Sequence, residues 1–364
     1  MSRLAFLPTL LLAAVLAGLI AAFGFADGLL SFARTPLAHA QPVCFEVERG
    51  ASLTGVIRQF KDELVLGEGD PPRLRLLARL SGSAGRLRAG EYRVEPGQTP
   101  AGLLRQLAEG KVVLHRVTLV PGMTLEQARD VLAHHPAVRA EGFALRPVEL
   151  MAAIGQPGKV AEGHFLPETY AFPRGTSDIE ILRMANDSLL RELDRLWSER
   201  QADLPLKDPA EAVILASVIE KETGKAEERP LIAGVFVNRL RKGMRLQTDP
   251  TVIYGLGPSF DGNLRRRDLE TDTPWNTYTR AGLPPTPIAL PSRAALRAAL
   301  HPEATRALYF VADGTGGHTF SETLDAHNRA VNKAVRNGLG SPPGDTRRAE
   351  SKDGFRNRNI SGGQ

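Results

Sequence analysis

Hydrophobic positions follow three different patterns along this chain, and each predicts a different kind of element. From Leu4 to Ala26 there is no charged residue, with Arg3 before the run and Asp27 after it. A bilayer core takes about 20 apolar residues as a helix, so this stretch predicts a single membrane span. The competing reading is a cleaved secretory leader, because Ala38-His39-Ala40 resembles a cleavage site. The apolar run is longer than a usual leader core, and the triplet lies well beyond its end, which favours an uncleaved anchor. Arg3 on the near side puts the N-terminus in the cytoplasm and the remaining chain outside it.

The second pattern is a weak repeat. Val47 to Phe60, Val94 to Leu107 and Leu119 to Leu132 each read as a strand end, then a turn glycine (Gly50, Gly97, Gly122), then a hydroxyl residue two positions on (Ser52, Thr99, Thr124). A Ser or Thr in that place caps a helix, and the apolar residues that follow recur at helical spacing. Three strand–turn–helix units are expected. They are common in α/β proteins, and the first part also suits a small carbohydrate-binding module of LysM type.

The third pattern is longer helical periodicity. Ile179, Leu182, Ala185, Leu189, Leu193 and Leu196 predict an amphipathic helix over about 178–199, and a further helix is expected over 228–242. Residues 307–312 and 318–320 read as strands joined by Asp313-Gly-Thr-Gly-Gly317. No helix or P-loop lysine follows that loop, so a hairpin is expected rather than a phosphate cradle. Ser321 is placed to cap a last helix reaching Arg336.

The sharpest local feature is Asp208 to Gly224. Asp208 suits the N-cap, Pro209 the first helical position, Glu211 a capping box and Gly224 the C-terminal stop. Ala212 to Ile219 is apolar on every face, so this helix is buried all round. Glu220 and Glu222 emerge in its last turn. Desolvation and the negative end of the helix dipole both disfavour a carboxylate there, as a general acid working near neutrality requires. The bland reading is a helix end reaching solvent, with Lys221 and Lys225 balancing the pair. Residues two apart point to opposite sides of a helix, so the two glutamates do not share a proton.

Downstream, Gly243 to Gly255 and Thr273 to Pro285 are dense in amides, hydroxyls and aromatic rings. That mixture suits sugar recognition and equally suits surface loops; Asp249 also suits a helix cap before Pro250. Charge is mildly basic, 46 − 41 = +5 and scattered, which permits an anionic partner without requiring one. Arg265-Arg-Arg267 is a lone basic triplet without a recognition-helix pattern, so nucleic-acid binding is not expected. The single cysteine, Cys44, excludes intrachain disulfides, and eight histidines without an HExxH pattern give no metal site. No cofactor is expected.

Taken in order, Leu215-Ala-Ser-Val-Ile-Glu-Lys-Glu-Thr223, Val237-Asn-Arg-Leu240, Leu246-Gln-Thr-Asp-Pro-Thr-Val-Ile-Tyr-Gly255, Asn276-Thr-Tyr278, Gly282-Leu-Pro-Pro285 and Tyr309 to Gly314 with Gly317-His-Thr-Phe320 resemble the YceG-like endolytic murein transglycosylases (MltG family) across most of residues 45–335. Where that family often carries tryptophans, this chain reads Glu162-Gly-His-Phe-Leu-Pro-Glu-Thr-Tyr170. The Gly, Ser, Pro and charge-rich composition of 338–364 predicts a disordered tail with no family role. The resemblance implies an α+β fold: an anchor within 1–26, a linker over 27–42, a LysM-like subdomain over 43–115 and a mixed α+β catalytic domain over 116–337. It implies lytic cleavage of the bond between N-acetylmuramic acid and N-acetylglucosamine in nascent peptidoglycan glycan strands, outside the cytoplasm at the cell inner membrane, in association with peptidoglycan synthases. It implies Glu220 as the catalytic acid and then base. Glu222, Gln247, Thr248, Asp249, Tyr254, Asn276 and Tyr278 are the expected substrate contacts. Two alternatives stay open: a hydrolytic muramidase with Asp249 or Glu168 as second carboxylate, and a non-catalytic wall-binding scaffold.

Overall fold

The computed structural model describes residues 6–63 and 65–336; the tail read as disordered from 338 onward lies outside the described residues. The chain is α+β and divides into two compact units. One holds the residues up to His115 together with Ala171–Thr176, and the other holds Arg116–Tyr170 and the described chain from Ser177. In chain order the elements begin with α1 (Phe6–Arg34), β1 (Val43–Val47), α2 (Leu53–Asp62), α3 (Asp70–Leu80), β2 (Gly90–Val94), α4 (Pro100–Glu109) and β3 (Leu114–Thr118). They continue with α5 (Leu125–Ala133), β4 (Val138–Arg139), α6 (Pro147–Ala153), β5 (Thr169–Pro173), β6 (Thr176–Ser177), α7 (Asp178–Ser198), α8 (Pro209–Glu222), α9 (Arg229–Arg241), α10 (Asp249–Leu256), α11 (Arg266–Glu270), α12 (Arg293–Leu300), β7 (Tyr309–Ala312), β8 (His318–Ser321) and α13 (Leu324–Arg336).

The repeat is real at the level of local geometry. Ser52, Thr99 and Thr124 each accept a hydrogen bond from the backbone three residues on, capping α2, α4 and α5. The three turn glycines sit at φ between 80° and 84°, a left-handed conformation that only glycine adopts freely. In the first unit β1 and β2 pair antiparallel, with Phe45 opposite Tyr92, and α2 and α3 lie between them in sequence. Phe45 meets Phe60 edge-on at 4.4 Å and stacks on Tyr92 at 5.7 Å, and Leu74, Leu103 and Leu107 complete the core.

α1 runs past Asp27 to Arg34, and Ala33 and Leu37 are buried; the Leu37 amide donates to the Gln98 carbonyl. The stretch expected as a linker is therefore half helix and half docked chain, because Leu29, Leu30 and Phe32 continue the apolar helical pattern beyond the single acidic residue. α1 is long and apolar enough to cross a membrane over Leu11–Arg34.

The second unit is built around α8. Its residues from Ala212 to Ile219 are buried, with Ile214 alone partly exposed. Each buried Val, Leu or Ile contributes about 1.5–3 kcal/mol relative to exposure, so this one helix carries much of the unit's burial. α12, α7 and α9 pack around it, and their apolar faces make one continuous core. Asp208 caps α8 as expected by accepting from the Glu211 amide, while Glu211 reaches back to the Lys207 amide instead of the cap residue's own. The helix stops on an extended Thr223, not on a left-handed Gly224. The Thr223 hydroxyl accepts from the Lys225 amide and so turns the chain without help from glycine. β7 and β8 form the expected hairpin, and Asp313 holds its own loop by accepting from the Thr315 and Gly317 amides. Ser321 belongs to β8, and Thr323 caps the last helix.

Gly234 marks where α9 meets the segment leading into β7. A Cβ there would stand 2.4 Å from the Glu303 carbonyl oxygen, which is backbone and cannot swing aside. In an exposed helix Ala stabilises over Gly by about 1 kcal/mol. Here Gly234→Ala is expected to do the opposite, costing about 1–3 kcal/mol through overpacking. Thermal melting of the purified variant reads the sign directly, and a raised Tm would refute the close-approach account.

Candidate active site

The two carboxylates at the end of α8 go to opposite environments. Glu220 turns toward α12. Its Oε1 accepts from Arg229 Nη2 at 3.2 Å, and its Oε2 accepts from the Ser292 amide at 2.9 Å and from the Ser292 hydroxyl. Ser292 is the N-cap of α12, so Glu220 ties the C-terminus of one core helix to the N-terminus of another. Its side chain is 5% exposed, and both oxygens are occupied.

Glu222 turns the other way, into a cavity of about 630 Å³ whose lining includes Arg239, Gln247, Asp249, Tyr278 and Tyr309. The Thr248 hydroxyl donates to Glu222 Oε1. Burial pushes the Glu222 carboxyl up to about 7, aided by nearby Asp249 and opposed by the Thr248 hydrogen bond and the Arg239 charge. Asp249 is also raised by burial, less what it gains from the Tyr278 hydroxyl donating to Oδ1 at 2.6 Å. A carboxyl held at about 7, beside a second acid raised by burial and a fixed guanidinium, makes a site able to deliver a proton near pH 7.

The backbone around the cavity is strained where it presents polar groups. Gln247 has φ 50°, a left-handed conformation costly for a side-chain-bearing residue. Its amide donates to the Thr277 carbonyl at 3.1 Å, which fixes the turn. Strain of this kind clusters at functional sites. Arg239 is 7% exposed and donates to the Leu308 carbonyl at 2.6 Å and the Leu246 carbonyl at 2.7 Å, while its guanidinium lies 5.1 Å over the Tyr309 ring. It thereby sets the distance between the loop after α9 and strand β7.

The expected contact residues separate into three groups. Glu222, Gln247, Asp249 and Tyr278 line the cavity together. Thr248 is 2% exposed and reaches the site only through Glu222. Asn276 and Tyr254 lie elsewhere. Asn276 is fully buried: its Nδ2 donates to the Asp268, Leu269 and Thr271 carbonyls, and its Oδ1 accepts from the Tyr278 amide. It braces the loop that carries Tyr278 and has no atom left for a sugar. The Tyr254 hydroxyl donates to Glu162 Oε2 at 3.2 Å, and its ring meets Trp275 at 5.5 Å. Glu168 pairs with Arg293 at 2.6 Å, also away from the cavity lining.

The chain matches the YceG-like family over residues 45–333, which is most of its length. It belongs to that family. A relative from Bacillus subtilis (strain 168), named endolytic murein transglycosylase, is 38% identical over 176 residues, 48% of this chain and 48% of its own. One of the same name from Streptococcus pneumoniae serotype 2 is 29% identical over 289 residues, 70% of this chain and 52% of its own. The chain thus spans about half the length of the curated relatives it matches. The crystal structure of a yceG-like protein from Listeria monocytogenes aligns at TM-score 0.51 and 29% identity, covering 80% of this chain and 99% of that one.

In this YceG-like chain, Arg239, Tyr309, His327 and Asn328 also line the cavity, and sequence reasoning assigned none of them to the site. Arg239 left a signal, being an arginine shortly after the apolar run Ile232–Val237 of α9. His327 and Asn328 left none, since α13 reads as an ordinary amphipathic helix. For the carboxyl itself, Thr248→Val removes the donor that favours the Glu222 anion, so the pKa is expected to rise further above 7. Carboxyl-carbon NMR titration of wild type and variant measures it, and an unchanged or lowered value would contradict the assigned hydrogen bond.

Proposed function

We propose that this protein is an endolytic peptidoglycan lytic transglycosylase and that Glu222, rather than Glu220, carries the proton. The observation that supports Glu222 is its place in the cavity with a carboxyl held at about 7; Glu220 has both oxygens engaged inside the α8–α12 junction. The relatives' shared name supports the reaction class.

In this reading neutral Glu222 protonates the oxygen leaving C1 of N-acetylmuramic acid. The C1–O bond breaks as an oxocarbenium-like centre develops, and the carboxylate left on Glu222 stabilises it. The glutamate, now an anion, takes the proton from the C6 hydroxyl of the same sugar. That oxygen bonds to C1 and closes the 1,6-anhydro ring, restoring the neutral acid and consuming no water. One carboxylate suffices, whereas a hydrolase needs a second at about 5–5.5 Å or 6.5–9.5 Å. Asp249 shares the cavity, so hydrolysis with Asp249 as partner is the competing outcome, and product mass separates the two. Anhydro ends are lighter than reducing ends by one water.

The remaining assignments rest on the same footing. α1 anchors the chain with its folded part outside the cytoplasm, and the first unit serves as a LysM-like glycan-binding accessory. Synthase association follows from the family resemblance alone.

Glu222→Gln is expected to lower cleavage of purified glycan strands by about 10²–10⁴-fold, the range for general acid–base catalysis, with melting unchanged or raised. Glu220→Gln is expected to lower the melting temperature instead, because Arg229 then loses its buried partner. Full activity in Glu222→Gln would overturn the assignment. The reactive form of Glu222 is protonated, so cleavage is expected to fall as pH rises through about 7 rather than near an ordinary carboxyl value. A pH–rate profile of the wild type checks this.

A further inference from the structure

The first unit carries a cleft that the chemistry above leaves unused. It lies between α1 and α3 and encloses about 480 Å³, walled by Gly24, Phe25, Gly28 and Leu29 on one side and by Arg73 and Leu76 on the other. Toward its C-terminus α1 closes onto the unit, where Phe32 packs on the core and Ala33 is buried. A Cβ at Gly24 or Gly28 would meet nothing within 4 Å, so these glycines widen the cleft instead of drawing a helix close. Helix geometry gives α3 two faces. Leu74 and Ala78 turn into the core, while Arg73, Leu76 and Leu80 stand on the other side, with Leu80 70% exposed. The helix bears three arginines against one acid, Asp70, whose carboxylate accepts from the Gly67 amide. An outward face that joins leucines to arginine suits the boundary between hydrocarbon and headgroups.

The level of the cleft follows from α1. A charge in the hydrocarbon core is costly, and the run from Leu4 is uncharged up to Asp27. On the side of the folded unit the core therefore ends near Asp27, which leaves Phe25 in hydrocarbon and Gly28 and Leu29 at the headgroups. Asp27 points away from the cleft, because the four lining residues of α1 share one side of the helix and position 27 falls outside it. Arg73 lines the same cleft, and its long stem lets the guanidinium reach headgroup height, where its fork of donors matches a phosphate. The net positive charge of α3 favours a headgroup that has no amine of its own. We propose that the cleft holds one anionic phospholipid of the surrounding bilayer, of the phosphatidylglycerol class, with its phosphate on Arg73 and an acyl chain along Phe25, Leu29 and Leu76. The lipid fastens α3 to the membrane surface, so that the first unit is held at two points instead of swinging on α1 alone. This rests on the reading of α1 as an uncleaved anchor.

The test is native mass spectrometry of the full-length protein, extracted from membranes in mild detergent, with phosphatidylglycerol or phosphatidylcholine added. One phosphatidylglycerol is expected to bind each chain about tenfold more tightly than it binds Arg73→Gln, the scale of one charge-assisted contact. Phosphatidylcholine is expected to bind more weakly. Gly28→Leu fills the cleft with a side chain for which α1 has room, and is expected to release the lipid from a chain that melts normally. Arg58→Gln, which removes an exposed arginine of α2 outside the cleft, is expected to retain it. Equal losses in Arg58→Gln and Arg73→Gln reveal general charge attraction and overturn the proposal, as does equal affinity for the two lipids. Unchanged binding in Gly28→Leu also overturns it. The same spectra report oligomeric mass: a dimer that Gly28→Leu dissociates, with no lipid retained, gives the cleft to a second copy of α1 and refutes the lipid site. Failure of the anchor reading looks different. The chain then leaves the membrane in an alkaline wash, or its intact mass lacks the residues up to Ala40, and the proposal falls with that reading. An intact, membrane-embedded chain whose lipid binding neither Arg73→Gln nor Gly28→Leu alters overturns the lipid site alone.

Discussion

The arrangement of this site depends on how the end of α8 is fastened. Glu220 accepts from Arg229 and from the cap residue of α12, which fixes both the rotation of the last helical turn and its distance from the neighbouring helix. Two residues on, the helix geometry then aims Glu222 to the opposite side, out of the core and into the cavity. The pair acts as one device in which the first carboxylate is held so that the second is presented. A helix buried on every face can project a carboxyl into a partly dry cleft only if something anchors its end against rotation, and the Glu220 junction does this.

Around that carboxyl, charge is balanced without being neutralised. Arg239 directs its hydrogen bonds to backbone carbonyls and to Gln247 Oε1 rather than to the acids, so its positive field reaches Glu222 without forming an ion pair that would hold it ionised. The Thr248 hydroxyl and the Tyr278 hydroxyl each favour one anion by a single hydrogen bond. Burial outweighs these, and Glu222 stays near 7, where it can give and regain a proton. The left-handed Gln247, held by Thr277, is part of the same arrangement, because it turns the chain so that Thr248 and Asp249 both face the end of α8.

Much of this was legible before any coordinates. The helical periods, the hydroxyl caps after turn glycines, the Asp208-Pro209 start and the hairpin at Asp313–Gly317 are local patterns, set by backbone sterics and by hydrogen bonds three or four residues apart. The expectation that a glutamate at the end of an all-apolar helix would be hard to ionise also came from local physics. The sequence pattern failed where composition does not tell which polar atoms are already engaged within the fold. Asn276 and Tyr254 looked like sugar ligands by composition, yet their polar atoms are spent on loop carbonyls and on Glu162, 92 residues from Tyr254. His327 stood out by no local pattern and lines the cavity.

The amino-acid sequence by itself determined the elements, their caps, the apolar anchor helix and the presence of two carboxylates at one helix end, because each of these depends on neighbours in the chain. Only the tertiary structure decided which carboxylate faces the cavity. That choice turns on Ser292, 72 residues beyond Glu220, and on Thr248, 26 residues beyond Glu222, and no spacing rule relates either pair. Helix geometry guarantees that the two glutamates diverge. Which of the two directions is core and which is cleft is a property of the packed helices around α8.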